Sequence, residues 1–163
     1  MADLREMTSE VREAFLERLD YFLKGDPYAQ KFCLDLLYIA HLWDDLIDQD
    51  KPRTGEDISL AFTKALMDLP SNPFYQAHFQ MLWALVTNAL LQWKDANSLM
   101  EGNRDHRLMS FILRNALFSV IYFSMYLIGK EEWVAEHGVE FWSFFCQGLA
   151  GKFEQDIKEA DHA

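Results

Sequence analysis

Three aspartates stand close together at the end of a long apolar segment, residues 30–47. At helical spacing Asp44, Asp45 and Asp48 share one narrow stripe with His41, and the other sides of that helix are apolar. Like charges on one stripe repel each other, and an ionised aspartate is rarely buried without a partner. The pattern therefore predicts a divalent cation with oxygen ligands, Mg²⁺ or Mn²⁺, held by the three carboxylates. The alternative is a solvated helix end whose aspartates only face water.

A metal site in a helical protein also needs ligands on a facing helix, and the fourth predicted helix offers two. Asn88 lies in the almost wholly apolar stretch 81–91, and Asp95 follows seven residues later on the same face. One interpretation makes both residues metal ligands. The other is a buried Asn88 bonded to a neighbouring helix, with Asp95 in solvent. His41 is expected to be a hydrogen-bonded helix residue rather than a ligand, because Mg²⁺ prefers oxygen.

Three arginines are candidates for binding an anion near these carboxylates. Arg107 and Arg114 share a face of the fifth predicted helix. Arg114 lies among apolar residues, so its charge needs a partner. That partner is either a phosphate, the aspartates across the bundle, or an acid in a structural ion pair. Arg53 stands in the loop directly after the aspartates. Arg53 and Arg114 are both expected to point toward the aspartates across a cavity.

Six helices with short connections are predicted to position these residues. Apolar periodicity and capping residues place the helices at about 9–24, 27–51, 55–69, 73–99, 105–128 and 131–160. No stretch alternates as a strand does. The chain is thus expected to be all-α, a single-domain bundle over residues 1–163, with the aspartate helix packed against the fourth and fifth helices. Its core is expected to include Leu37, Leu46, Leu85, Leu90, Leu113, Leu117 and Phe144.

Composition narrows the classes of function. A chain of 163 residues can bury a real core, and its net charge of −11 makes nucleic acids and anionic membranes poor partners. Cys33 and Cys146 stand in apolar helical context and are expected to be free thiols. The most apolar stretch, 108–128, contains Arg114 and Asn115, which favours a core helix over a membrane span. With no signal peptide evident, a cytoplasmic protein is expected. Its oligomeric state is left open.

Residues 41–55, HLWDDLIDQDKPRTG, resemble the first aspartate-rich motif of the trans-prenyl diphosphate synthases, within the class I terpenoid synthase superfamily. In that family a DDxxD helix precedes a short loop ending in Arg-Arg-Gly, and its carboxylates hold the Mg²⁺ that grips the substrate diphosphate. The resemblance implies an isoprenoid-synthase-like helical fold. It also implies Mg²⁺ binding by Asp44, Asp45 and Asp48, and a phosphate contact by Arg53.

Two classes of function stay open at this point. The first is Mg²⁺-dependent binding of a small-molecule diphosphate ester, or a lyase or transferase reaction on it, with an apolar pocket for the organic part. An all-α nucleotide pyrophosphohydrolase is a variant of this class, since such enzymes also use acidic helix clusters with Mg²⁺. The second class is a non-enzymatic assembly or accessory protein with a degenerate site. The short chain, the single arginine before Gly55 and the lack of a second DDxxD favour the second class.

Overall fold

A computed structural model describes residues 7–49, 51–145, 147, 151 and 154 of the chain. All regular structure within these ranges is helical and none of it is a strand, so the prediction of an all-α helical protein is confirmed. The chain divides into two compact units, Met1–Leu82 and Trp83–Ala163. The single-domain organisation and the isoprenoid-synthase-like topology stay predictions.

The first unit is organised around one long helix. Its elements are α1 (Ser9–Phe22), α2 (Pro27–Asp48), α3 (Gly55–Thr63), a π-helical turn (Lys64–Asp68), α4 (Leu69–Ser71) and α5 (Pro73–Ala77). Helix α2 contacts all the others. The core around its N-terminal half contains the fully buried side chains of Leu19, Phe22, Leu23, Phe32 and Cys33. Burial of such apolar side chains contributes roughly 1.5–3 kcal/mol each and holds α2 in place.

Polar caps set the junction between α1 and α2. Lys24 is left-handed at φ 51°, and its N–H donates to the carbonyl of Tyr21 at 3.1 Å. The N–H of Gly25 donates to the carbonyl of Asp20 at 2.9 Å, which completes a Schellman motif. The carboxylate of Asp26 then accepts two backbone N–H groups from the first turn of α2, both at 2.9 Å. The predicted stop and start are confirmed here.

Helix α3 begins with a capping box and runs into the π-helical turn. The hydroxyl of Thr54 accepts from the N–H of Asp57 at 3.1 Å, and the Asp57 carboxylate accepts from the N–H of Thr54 at 3.0 Å. In the turn, the N–H of Leu69 donates to the carbonyl of Lys64, five residues back. Pro70 follows at once and has no N–H for the carbonyl four residues before it. The wider turn accommodates this proline, so the helix predicted at 55–69 is interrupted near its end.

The second unit contains a tight helical hairpin. Its elements are the continuation of α6 (Phe79–Leu99), α7 (Arg104–Arg114) and α8 (Leu117–Phe145). Helix α8 is broken at Lys130, whose φ is 59° and ψ −166°. The two halves of α8 on either side of Lys130 lie antiparallel. The ring of Phe118 is 5.0 Å from that of Phe145, and the ring of Tyr122 is 5.2 Å from that of Phe141. Aromatic packing therefore closes the hairpin.

Two predicted helices are each divided in the structure. The helix predicted at 105–128 breaks after Arg114, where the Asn115 side chain donates to the carbonyl of Phe111 at 2.7 Å. Such a side-chain bond competes with the helical backbone pattern and favours the break. The helix predicted at 73–99 breaks at His78, whose φ is −120°.

The expected core is only partly confirmed. Leu37 is buried, whereas Leu85, Leu90, Leu113, Leu117 and Phe144 are half-buried. Leu46 is 41% exposed, so its assignment to the core is wrong. Cys33 is a buried free thiol as predicted, and Cys146 lies outside the described residues. Most of the predicted sixth helix beyond residue 145 also lies outside them.

One described stretch, Arg104–Phe145, is long and apolar enough to cross a membrane by length and composition alone. A core helix of a soluble protein meets the same criterion. Within this stretch Val120, Ile121 and Met125 are almost fully buried by the protein itself. The core helix and the absence of a membrane span both stay predictions for this stretch.

Candidate functional site

The three aspartates occupy the last two turns of α2, and they differ in environment. Asp45 is 7% exposed and His41 is also 7% exposed, so both are turned into the protein. Asp44 is half-buried and Asp48 is exposed. The helix ends at Gln49, which is left-handed at φ 53° and donates its N–H to the carbonyl of Asp45 at 3.0 Å. The stripe predicted from helical spacing therefore has a buried edge and a solvent edge.

Arg53 is bound directly to the buried aspartate. Its Nε lies 2.6 Å from Oδ2 of Asp45, and its Nη2 contacts the same oxygen. The two side chains are 11% and 9% exposed. Arg53 therefore points toward the aspartates, as predicted, but contacts one of them instead of facing it across a cavity. Breaking a buried ion pair by removing one partner is strongly destabilising, so the pair between Arg53 and Asp45 is expected to contribute to the stability of this end of α2.

Two of the three carboxylates that were predicted to bind a metal lie on one side of α2. Asp44 and Asp48 lie at i and i+4 and supply oxygen donors, the kind that Mg²⁺ prefers. Within the described part of the chain, no three His, Cys, Asp or Glu side chains converge on a point where a metal ion would sit. The third aspartate of the motif is the one bound to Arg53. Mg²⁺ or Mn²⁺ binding by Asp44, Asp45 and Asp48 thus stays a prediction.

The opposite side of α2 near its end is apolar and faces solvent. Trp43, Leu46 and Ile47 are 40%, 41% and 55% exposed. From the sequence, this apolar side was expected to be buried. The ion pair explains the difference, because burying Asp45 against Arg53 rotates the apolar side outward.

Asn88 and Asp95 lie on the exposed side of α6. Both are exposed, and the fully or nearly buried residues on this helix are Leu82, Ala89 and Ala96. The expected burial of Asn88 is therefore wrong, since the heptad-spaced Leu82, Ala89 and Ala96 form the packed face instead. Asp95 is in solvent, as one of the two interpretations had it. A ligand role for either residue stays a prediction.

Arg107 and Arg114 bond to different elements of the second unit, the loop before α7 and α6 respectively. Arg107 Nε donates to the carbonyl of Gly102 at 3.2 Å, and Arg114 Nη2 donates to Oδ1 of Asn97 at 2.8 Å. Between them on α7, the buried hydroxyl of Ser110 donates to a carbonyl of α6 at 2.7 Å. The bonds of Ser110 and Arg114 attach α7 to the C-terminal end of α6, and the bond of Arg107 attaches it to the preceding loop, which are structural roles. Diphosphate binding by the two arginines stays a prediction.

A second charged cluster was missed from the sequence. The carboxylate of Asp35, 3% exposed, receives Lys31 at 2.6 Å and Lys64 at 2.5 Å on its two oxygens. Lys31 also lies 3.0 Å from Asp68. Hydrogen bonding to Asp35 raises the pKa of Lys31, against the lowering effect of burial. The signal was visible as Lys-to-Asp pairs at i, i+4 in both segments, 31–35 and 64–68.

The two sets of ion pairs form a ladder between α2 and the antiparallel α3 with its π-helical turn. From the end of α2 backward, Asp45 meets Arg53, Asp35 meets Lys64, and Lys31 meets Asp68. We call the segment from α3 to the end of the π-helical turn the arm. Its inner side carries Lys64 and Asp68 of the ladder together with the buried Ala61. Its outer side carries Leu60, Phe62, Leu66 and Met67, which are 45–71% exposed.

Comparison with known proteins adds no relative to this description. No protein-family model, no curated protein and no solved structure matches the chain.

Proposed function

We propose that the chain binds the Mg²⁺ complex of a diphosphate ester at the end of α2, with Asp44 and Asp48 as metal ligands. The ion pair between Arg53 and Asp45 carries this proposal, because it brings a guanidinium to the aspartate end of the helix. A divalent cation and an arginine are the two groups that best offset the charge of a diphosphate. The sequence resemblance of residues 41–55 points to the same ligand.

The chemistry of such a site follows from charge. The metal, when bound, neutralises part of the diphosphate, and Arg53 contacts its oxygens with a planar fork that matches phosphate geometry. A lyase or transferase reaction would use the same groups, since they stabilise the diphosphate as it leaves. Asn88, Asp95, Arg107 and Arg114 are not required by this proposal.

Thermal unfolding tests the proposal without knowing the organic part of the ligand. Mg²⁺ with inorganic pyrophosphate should raise the Tm of the wild type by mass action, and more than either alone. The variant Asp44→Asn with Asp48→Asn should lose this rise. Glu13→Gln, an exposed carboxylate on α1, is the control and should keep it. Equal Tm shifts in all three proteins would remove the proposed site.

A second candidate function is a non-enzymatic assembly protein, and the exposed apolar faces favour it. The end of α2, the arm and α7 each carry large apolar side chains on their exposed side. On α7 the outward residues are Leu108, Met109 and Ile112, which are 43–55% exposed. Contiguous exposed apolar surface on soluble proteins commonly marks an interaction site.

Sedimentation separates this candidate from a monomeric binder. If the arm mediates self-assembly, the wild type sediments as an oligomer at micromolar concentration, and Phe62→Ser with Leu66→Ser shifts it to the monomer. Ser59→Ala with Thr63→Ala, exposed polar positions of the same arm, is the control. If the wild type stays monomeric even at a concentration about 100-fold above this, self-assembly through the arm is excluded.

A further inference from the structure

We propose that the hairpin of α8 opens at Lys130 and exchanges its second half with a second copy of this chain. In the exchanged dimer each α8 is one continuous helix. The second half of each copy, residues 131–145, packs on the first half of the other, residues 117–129. The contacts between the halves are the same in both forms, and the turn at Lys130 is what differs. This inference does not depend on diphosphate binding.

The backbone of the turn is the first observation behind the exchange. Lys130 has φ 59° and ψ −166°. Gln49 also has a positive φ, 53°, but its ψ of 24° keeps it in the left-handed region in which many helices end. The combination at Lys130 lies instead in a region that is essentially restricted to glycine. A lysine held there is strained, and the strain disappears when the residue becomes helical.

One hydrogen bond offsets part of this strain. Nζ of Lys130 donates to the carbonyl of Leu127 at 2.8 Å, in the last turn of the first half. A single side-chain bond contributes less than such a backbone conformation costs. Lys130, Glu131 and Glu132 are all good helix formers, and the chain is helical on both sides of the break. Apart from Gly129, the residues around the turn therefore favour a continuous helix.

Gly129 makes the closed hairpin accessible. A Cβ at this position would overlap the Cβ and the ring of Trp133, on the other side of the break. In a continuous helix the same two residues would have Cβ atoms about 5–6 Å apart, so no overlap would arise. Glycine is also unfavourable in a helix interior. Gly129 thus favours the hairpin, whereas its neighbour Lys130 favours the open helix.

The packing between the halves explains why an open α8 takes a second copy. The ring of Phe118 lies 5.0 Å from that of Phe145, and the ring of Tyr122 lies 5.2 Å from that of Phe141. The three phenylalanines are at most 7% exposed, so opening alone would transfer their rings to water at a large cost. A copy opened at the same turn offers the same partners by two-fold symmetry. A short hinge under strain is the setting in which proteins exchange elements.

Sedimentation of refolded protein tests the exchange in the full chain. Wild type refolded from urea at high protein concentration should contain a dimer that persists on dilution, because its return to monomer requires the buried rings to separate. Gly129→Ala should lower the Kd of this dimer at least about fivefold, since it penalises the hairpin and favours the helix. Lys130→Gly should raise it at least about fivefold, since it relieves the strained turn.

Two variants of the same kinds, placed elsewhere, are the matched controls. Gly55→Ala adds a Cβ that meets nothing within 4 Å, and Lys94→Gly replaces an exposed lysine of α6. Both should leave the Kd of the dimer unchanged. The proposal is overturned if the wild type, Gly129→Ala and Lys130→Gly have equal Kd values, or if all three stay monomeric after refolding at high concentration.

A mixed dimer shows which chain supplies each half and needs no hinge variant, so it decides the matter even if Gly129→Ala fails to fold. Chains with ¹³C-tyrosine are refolded together with chains with ¹³C-phenylalanine, and the Tyr122 resonance is assigned by its loss in Tyr122→Phe. Exchange predicts a nuclear Overhauser effect between Tyr122 and Phe141 in this sample, where it can arise only between chains. A dimer without this effect, or one that dissociates in Phe62→Ser with Leu66→Ser, would overturn the proposal.

Discussion

At the scale of single residues, Lys24 is one of three non-glycine residues in the described ranges that have a positive φ. It holds a left-handed conformation at φ 51°, which only glycine adopts without penalty, in the position of the Schellman motif that favours glycine. We expect Lys24→Gly to raise the free energy of unfolding by about 0.5–1 kcal/mol in urea melts. The control is Lys94→Gly within α6, where the same change should lower it by about 1 kcal/mol. If Lys24→Gly lowers the free energy of unfolding as Lys94→Gly does, the left-handed position of Lys24 in the Schellman motif is contradicted.

Lys31 makes stability depend on pH in the alkaline range. Its pKa is raised in the folded protein, chiefly by the hydrogen bond to Asp35, so folding is favoured while the lysine is protonated in both states. Above the ordinary lysine pKa the unfolded chain loses its proton first, and this contribution disappears as pH rises through the folded value. Burial raises the pKa of Tyr75, which acts in the same direction.

Urea melts across the alkaline range measure this effect. Lys31→Gln should show a shallower decline of unfolding free energy than the wild type, and the difference should be small because Lys31 is half exposed. Lys94→Gln on the exposed side of α6 should decline as the wild type does. An identical slope in Lys31→Gln would show that its contact with Asp35 does not persist in solution.

The direction in which single side chains point was the part of the site least open to prediction. Spacing alone correctly put Asp44, Asp45 and Asp48 on one stripe of a helix, and the motif correctly directed Arg53 toward them. The spacing could not show that Arg53 contacts Asp45 and covers it, because that contact depends on where the six-residue loop after α2 ends. Once that pair forms, Leu46 on the other side must face solvent.

At the scale of elements, the ion ladder fixes the register of the arm on α2. Asp35 is the buried acid of the ladder and serves two lysines. We expect Asp35→Leu to cost about 2–4 kcal/mol, because Lys64 is then left mostly buried without its acid. Adding Lys64→Met should recover part of that loss, a coupling measured by a double-mutant cycle. Lys31→Met alone should cost under about 1 kcal/mol, since the side chain of Lys31 is half exposed. If the effects of Asp35→Leu and Lys64→Met on the free energy of unfolding are strictly additive, the ion pair between Asp35 and Lys64 in the ladder is contradicted.

The hairpin of α8 depends on one close approach. A Cβ at Gly138 would lie 2.7 Å from the hydroxyl of Tyr122, whose ring is held between Phe141 and Trp142. Gly138→Ala should therefore cost about 1–3 kcal/mol, and Tyr122→Phe in that background should recover part of it. Gly55→Ala, which meets nothing within 4 Å, should change stability by no more than about 0.5 kcal/mol. If Gly138→Ala leaves the free energy of unfolding unchanged, the two halves of α8 lie further apart than the structure has them.

Helix ends were more predictable than helix interruptions. The caps at Asp26 and Thr54 are short sequence motifs whose geometry follows from the residue type. The break at Asn115 and the π-helical turn before Pro70 were missed, because each results from competition between local bonds and an otherwise regular apolar pattern. The break at Lys130 lies in the interval left between the helices predicted at 105–128 and 131–160.

At the scale of the whole molecule, the fold class followed from composition and periodicity. The carboxylates of α2 and the polar residues of α6 and α7 were expected to face one another; they belong to different compact units, and that grouping stays a prediction. Within its own unit each set has its own partners: Asp45 binds Arg53, and Arg114 binds Asn97. The proposed site is therefore confined to the end of α2 and the loop after it.

Equilibrium dialysis of Mn²⁺ tests the central claim most directly, with inorganic pyrophosphate present on both sides of the membrane. The account predicts that wild-type protein retains Mn²⁺, that Asp44→Asn with Asp48→Asn does not, and that Asp95→Asn retains as much as the wild type. Retention by the double variant equal to that of the wild type, or loss in Asp95→Asn alone, would contradict a metal site at the end of α2.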